Sequence, residues 1–256
     1  MFSLVARLTL VEKTSLIRQI NQGISINKIS RRFNLAKSTI YYHYKKIKGK
    51  QYQEPFYNIE FSEQEGEIVG IFAGDGSQYY YKRGGGYYVN VHFGNCSNWV
   101  EHVQTLYEKF FNKKWRRWRE VTKEGWIKHR IRVIDKKIFY YFFNYLSYDP
   151  THKHDTVELK TLELPDCFKI GFLRGFLDTD GTICLSQGRV RIIYYTTSKT
   201  LANQTKILCN QFKINVSLCI RRREGYKDIC TVYVLADSID KFLKVINPFK
   251  RHRVGR

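Results

Sequence analysis

The sequence predicts an α+β protein: two similar αββαββα halves behind a small all-α module. Three observations carry that expectation. Two short stretches, IVGIFAGDG over 68–76 and LRGFLDTDG over 173–181, share one pattern and begin 105 positions apart. Each is followed by the same succession of two strands, a periodic helix, two further strands and a closing helix, which is how one structural unit used twice reads in a sequence. Ahead of both, residues 8–48 show only short helical periodicities. The 256 residues have room for two packed halves and a small module. The expected divisions are a module over 1–49, a linker over 50–61, and halves over 62–160 and 161–256.

In the module, helices are expected over 11–22, 25–33 and 37–47, punctuated by Gly23 and by Asn34-Leu35. Leu16, Ile17, Ile20, Ile29, Phe33, Leu35, Ile40 and Ile47 recur at spacings that build one small core. The third helix then turns Ser38, Thr39, Tyr42, His43, Lys45 and Lys46 outward. This pattern resembles a helix-turn-helix, whose second helix enters a DNA major groove. A helical cap or a protein-contact module is the alternative. Residues 49–58, with Pro55, read as linker.

In the first half, Ser62 with Glu65 makes a capping box for a helix running from 63 to 75. In the second, Asp166 after Pro165 is the expected N-cap. Gly76 and Gly181 fall where a helix favours a left-handed residue. Strands follow over 77–81 and 87–93 around a tip of Lys82, Arg83 and three glycines. A helix capped by Ser97 runs to 111, strands occupy 115–121 and 126–133, and a helix covers 135–146. The second half repeats this with strands over 182–186 and 189–196, a helix from the Ser198 cap to 212, strands over 216–222 and 228–235, and a helix over 238–246. Four antiparallel strands per half make two saddles, each covered by helices on one face.

Alternation shows what the other face carries. Lys128, Arg130 and Arg132 point one way while Ile127, His129, Ile131 and Val133 point the other; Tyr88, Asn90 and His92 likewise oppose Val89, Val91 and Phe93. Gln78, Tyr80, Lys82 and Arg83 lead along the first hairpin; Arg189, Arg191, Arg221, Arg223 and Lys227 supply the second half. Arg and Gln suit base edges in a major groove, and Lys and Tyr suit phosphates.

Within the motif helices, Gly70 and Gly74 are spaced i, i+4, as are Gly175 and Thr179. Interior Gly costs roughly 0.5–1 kcal/mol relative to Ala, so a strip of small residues implies close approach of two backbones. If the strips pack on each other, Asp75 and Asp180 emerge together at the negative ends of two helix dipoles. There they repel unless cations neutralise them, and hard cations such as Mg²⁺ suit the site. A single Asp-Gly is ordinarily a turn; the repetition sets these two apart.

These two stretches resemble the motif of the LAGLIDADG homing endonucleases, in the single-chain form with two motifs, and the resemblance spans roughly 61–253. It implies that the paired helices form the interface of two pseudo-symmetric halves that make a DNA-binding saddle. It also implies that Asp75 and Asp180 bind catalytic metal, with Gly74 and Thr179 beside them. Each half would then cut one strand of double-stranded DNA, leaving short 3′ overhangs. Such enzymes place a basic residue near each scissile phosphate; Lys153, Lys250 and Arg253 are the candidates, and Gln78 and Asn95 are candidate water or phosphate orienters. The motif's earlier acidic position is Asp178 in the second copy and Ala73 in the first, which predicts asymmetry. A DNA-binding regulator and an intron RNA maturase with the same fold are the alternatives.

Lys and Arg number 44 against 23 Asp and Glu, a formal charge of +21 that calls for a polyanionic partner. Nucleic acid is the expected one, with a membrane surface as competitor. No run of 18 apolar residues exists, and Arg7, Glu12 and Lys13 interrupt any signal-peptide core. An intracellular monomer, in the cytoplasm or in an organelle with its own DNA, is expected. The six cysteines show no Cys-x-x-Cys spacing and read as buried small hydrophobes; His152 and His154 form a lone His-x-His with no third ligand nearby.

Overall fold

The computed structural model describes residues 8–22, 24–48, 59–94 and 96–250. The chain divides into two compact units, 1–56 and 57–256. In the first, α1 (Leu10–Asn21), α2 (Ile26–Phe33) and α3 (Lys37–Lys48) enclose Leu16, Ile20, Ile29 and Ile40. Thr9 and Glu12 cap α1 reciprocally, Ser25 caps α2, and Asn34 ends α2 in the left-handed conformation. Phe33, Leu35 and Ile47 pack against this core, whereas Ile17, expected inside, faces solvent. Gly23 lies outside the described residues.

The second unit opens with α4 (Glu63–Asp75), β1 (Gly76–Tyr81) and β2 (Gly86–Phe93), then α5 (Ser97–Phe111), β3 (Arg116–Val121) and β4 (Ile127–Ile134). The helix expected over 135–146 is shorter. Asp135 caps α6 (Lys136–Tyr141), which tightens into a 3₁₀ turn and gives way to β5 (Leu146–Ser147). A single turn, α7 (Lys153–Thr156), and β6 (Glu158–Leu159) lead into the second half. That half runs α8 (Asp166–Asp180), β7 (Gly181–Ser186), β8 (Arg189–Thr196), α9 (Lys199–Gln211), β9 (Val216–Arg223), β10 (Tyr226–Val234) and α10 (Ile239–Val245). The sheets are antiparallel, in the orders β1-β2-β4-β3 and β7-β8-β10-β9. One continuous core runs through both halves beneath them.

Several local expectations are corrected. Ser62 does accept from the Glu65 N–H, but the Glu65 carboxylate reaches back past Ser62 to the Glu60 N–H and across to the hydroxyls of Tyr141 and Tyr145. Pro165 rather than Asp166 occupies the N-cap of α8, and Asp166 sits in its first turn, where it accepts from Lys169. Ser97 is the first residue of α5, with Cys96 before it as the cap. Cys209 and Cys230 are buried, but Cys167 and Cys219 are exposed; the cysteines are free.

Gly76 and Gly181 are extended, with φ of −75° and −106°, and pass directly from helix into strand. Glycine is required there by space, because a Cβ on Gly76 would sit 2.3 Å from the Phe72 ring and one on Gly181 2.4 Å from Leu177.

The strip of small residues is longer than the sequence spacing showed. Gly66, Gly70 and Gly74 of α4 face Gly171, Gly175 and Thr179 of α8. A Cβ on Gly70 would fall 2.3 Å from the Phe172 carbonyl oxygen, and one on Gly175 2.2 Å from that of Glu67. Those neighbours are rigid backbone. Arg174 straps the same interface, binding Glu63 and Glu67 across it and donating to the Ile246 carbonyl at 2.8 Å. Gly175→Ala is therefore expected to lower unfolding free energy by about 1–3 kcal/mol through overpacking. Gly94→Ala, where a Cβ meets nothing within 4 Å, should change it by less than about 0.5 kcal/mol; chemical denaturation of the two variants checks the contrast.

Candidate active site

The packed helices bring Asp75 and Asp180 to one place. Both are half-buried, and a Cβ on Gly74 would lie 3.3 Å from the Asp180 carboxyl carbon. Burial and then the Asp180 charge push the Asp75 carboxyl up to about 7, against the opposing pull of Lys250 and Lys153. Burial likewise raises Asp180, with the same two lysines pulling it down.

Those lysines are placed by a device that sequence spacing does not reveal. Lys153 donates to the carbonyls of Phe72, Ala73 and Gly74 at 2.9, 2.6 and 2.9 Å, closing the C-terminus of α4. Lys250 does the same at α8, donating to Leu177, Thr179 and Gly181 at 3.2, 3.1 and 2.5 Å. Each puts a cation where a helix dipole is negative and satisfies carbonyls that a helix end leaves open. The carbonyls of Gly74 and Thr179 are thus engaged by lysine. Burial pushes Lys153 down to about 8, although both aspartates favour its charge.

The asymmetry expected from Ala73 and Asp178 has a structural form. Asp178 is buried and accepts from the N–H groups of Phe249 and Lys250, both at 2.8 Å, so it holds the segment that carries Lys250. Ala73 offers nothing of the kind, and Lys153 instead sits on α7, held from the other half. Thr197 donates to the His154 carbonyl at 2.8 Å, and Lys227 binds the Asp155 carboxylate and lies 2.8 Å from His154 Nε2. Lys227 is therefore an anchor for α7 rather than a free cation of the open face. A cavity of 270 Å³ opens beside Asp180, bordered by Gly74, His154, Tyr195 and Thr197.

The register settles which side chains line the open faces. Ser77 pairs with Asn90 and Gln78 with Val89, so Ser77, Tyr79 and Tyr81 share the open face with Tyr88, Asn90, His92, Arg130 and Arg132. Gln78 and Tyr80 point the opposite way from expectation, toward the helices. Gln78 is 5% exposed with its amide unpartnered, and Tyr80 packs on Tyr87. Asn90, 2% exposed, is on the open face but committed to Arg132. Arg116 and Trp118 of β3, missed in the alternation, join the same face.

Lys82 and Arg83 stand in the exposed hairpin turn, and Lys128 is exposed on β4. In the second half Arg189 and Arg191 are exposed on one face of β8, and Arg221 of β9 pairs with Ile229 of β10. Arg253, Asn95 and the Arg223 side chain lie outside the described residues. On α3, Ser38, Tyr42, Lys45 and Lys46 are exposed and Thr39 half-buried, with Lys46 over the Tyr42 ring.

Two carboxylates meeting at paired helix ends could hold a hard divalent cation, which would relieve their repulsion. Among the described residues no group of three or more His, Cys, Asp or Glu is arranged for a metal. A cation that keeps several waters and takes phosphate oxygens, as Mg²⁺ does, fits so sparse a donor set.

Comparison with known proteins bears on this geometry. A family model for LAGLIDADG-like domains matches residues 168–247, and one for the CENP-B N-terminal DNA-binding domain matches residues 6–49. The structure of I-DmoI in complex with DNA and Mn superposes with a TM-score of 0.54 at 18% identity, over 73% of this chain and 97% of that one. I-WcaI, a homing endonuclease bound to its DNA recognition sequence, superposes with a TM-score of 0.51 at 15% identity, over 75% of this chain and 84% of that one. These likenesses establish the fold. No curated protein matches the chain, and among the described residues no helix is long and apolar enough to cross a membrane.

The Asp75 shift has a stability signature. Its folded value, about 7, lies above the unfolded value near 4, so the contribution is complete below about pH 4 and is lost as pH rises through 7. Without divalent ions, melting temperature should fall between pH 5 and pH 8; Asp75→Asn should flatten that decline. The Lys153 shift acts in a separate, alkaline window above about 8.

Proposed function

We propose that this chain, with a LAGLIDADG-like domain at 168–247 and the fold of DNA-bound homing endonucleases, is a site-specific DNA endonuclease that makes a metal-dependent double-strand cut at a long asymmetric target. The observation that carries the reading is the delivery of Asp75 and Asp180 to a common point between two basic sheets, each acid beside a lysine that caps its helix. Asp75 and Asp180 would hold the divalent ions, Mg²⁺ foremost. A bound ion at such a site activates water and stabilises the departing 3′ oxygen.

The chain's own residues do the remainder. Lys153 and Lys250 keep fixed positive charge at the two helix ends, so a scissile phosphate entering either side meets a cation already in place. With every proton of Lys153 spent on carbonyls, it acts as an oriented charge and leaves direct phosphate contacts to others. The open faces grip the duplex: Arg130, Arg132, Arg189, Arg191 and Arg221 from the sheets, Lys82 and Arg83 from the first hairpin. One chain holds both acids, so a monomer has a complete site, with one strand cut by each half.

The helix-turn-helix would add a further duplex contact through Ser38, Thr39, Tyr42, Lys45 and Lys46, supported by the match of residues 6–49 to a DNA-binding domain. An intron-borne gene is the expected setting.

Purified protein should enrich one sequence from a random duplex library and cut that sequence in Mg²⁺. Asp75→Asn and Asp180→Asn should each keep specific binding within a few-fold while double-strand cutting disappears; DNA binding without cutting by the unaltered protein would select the regulator reading, and binding of structured intron RNA without DNA cutting the maturase reading. Replacing Lys45 and Lys46 by Ala should weaken binding to all sequences alike and flatten the salt dependence of log K by about 0.9 for each phosphate no longer neutralised.

A further inference from the structure

The two open faces can be compared rung by rung, because each sheet starts at the residue after its motif aspartate. Two residues past Asp75, Ser77 pairs with Asn90 and Asn90 with Arg132. Two residues past Asp180, Thr182 pairs with Ile193 and Ile193 with Tyr233. Matching rungs therefore carry an amide and a guanidinium in one half, and an aliphatic and a phenol in the other.

Arg132 is held as few surface arginines are. Its Nε donates to Asn90 Oδ1 at 2.6 Å, and Asn90 is itself oriented by donating to Ser77 Oγ at 3.4 Å. Its guanidinium carbon lies 5.2 Å from the ring centres of Tyr88 and of Trp118 and 6.0 Å from that of Tyr79. Among the described residues its two terminal nitrogens make no hydrogen bond and no carboxylate pairs with it. The plane of the group is thus fixed, its charge uncompensated and its fork of donors left for a ligand.

A phosphate contact needs charge and reach, which the exposed lysines and arginines of the face supply without fixing a plane. A fork locked in one plane matches a pair of coplanar acceptors, and in a major groove guanine alone presents two, O6 and N7, to one side chain.

We propose that Arg132, oriented by Asn90, selects a guanine in the target arm bound by the first half, and that the second arm, facing Ile193 and Tyr233, has no guanine requirement at the matching position. This rests on the DNA-reading function proposed above. The requirement is one-sided because the counterpart rung has no donor fork.

Selection from a random duplex library with the full chain tests it, run in parallel for the unaltered protein, Arg132→Lys and Asn90→Ser. The unaltered protein should fix guanine at one position of one arm. Arg132→Lys, which keeps the charge, should lower the preference for guanine at that position by roughly tenfold to a hundredfold while the preferences at the other positions stand. Asn90→Ser should relax the same position and no other. A consensus identical for the unaltered protein and Arg132→Lys would overturn the inference and leave the DNA-reading function standing, as would an even loss across all positions. If the unaltered protein enriches no sequence at all, the underlying function fails and the inference with it. Circular dichroism of each variant separates a reading defect from misfolding.

Discussion

Two helix backbones touching where side chains would ordinarily stand is the constraint from which the rest of this structure follows. Along α4 and α8, Gly66, Gly70, Gly74, Gly171, Gly175 and Thr179 line the contact, so carbonyls approach the facing helix directly. The helices end level, and the strands that continue from them spread to either side as two sheets over one continuous core. The acids at the ends are brought together by packing alone. Their mutual repulsion is tolerated because the contact beneath them is extensive and strapped by Arg174.

That arrangement creates an electrostatic problem and partly solves it. Two helix C-termini and two carboxylates concentrate negative potential at one point. Instead of ending in left-handed glycines, the helices are closed by lysines from far along the chain, each donating to three carbonyls. The residual burial still leaves Asp75 reluctant to ionise. Added positive charge at that point would relieve both the repulsion between the carboxylates and the cost of ionising Asp75.

Much of this is readable from residue order. The motif helices, the strand pairs and the three-helix module follow from periodicity, from Ser62 and Ser198 as caps, and from a pattern met twice. What escapes depends on contacts between distant segments. The facing of β1 is not legible because Tyr79, Tyr80 and Tyr81 give no alternation to follow; its parity follows from Gly76 leaving the helix extended. Lys227 looks like one more basic residue in an alternating strand, and only the position of α7 shows that it is spent on Asp155. Asn90 and Arg132 are visible as two polar residues of one face, but their bond and the aromatic enclosure require the register. Gly66 and Gly171 extend the small-residue strip one helical turn and can be found by following the i, i+4 spacing backward.

The two lysines show how the halves have come to differ while keeping one geometry. Asp178 clamps the segment of Lys250 through backbone N–H groups, whereas Lys153 rides on a short helical turn pinned by Thr197 and Lys227. Each position in one half is encoded separately from its counterpart, so a change there alters one side of the saddle and leaves the other as it was. A homodimer built on the same helix contact would repeat every substitution about its two-fold axis; two halves carried on one chain are free of that constraint.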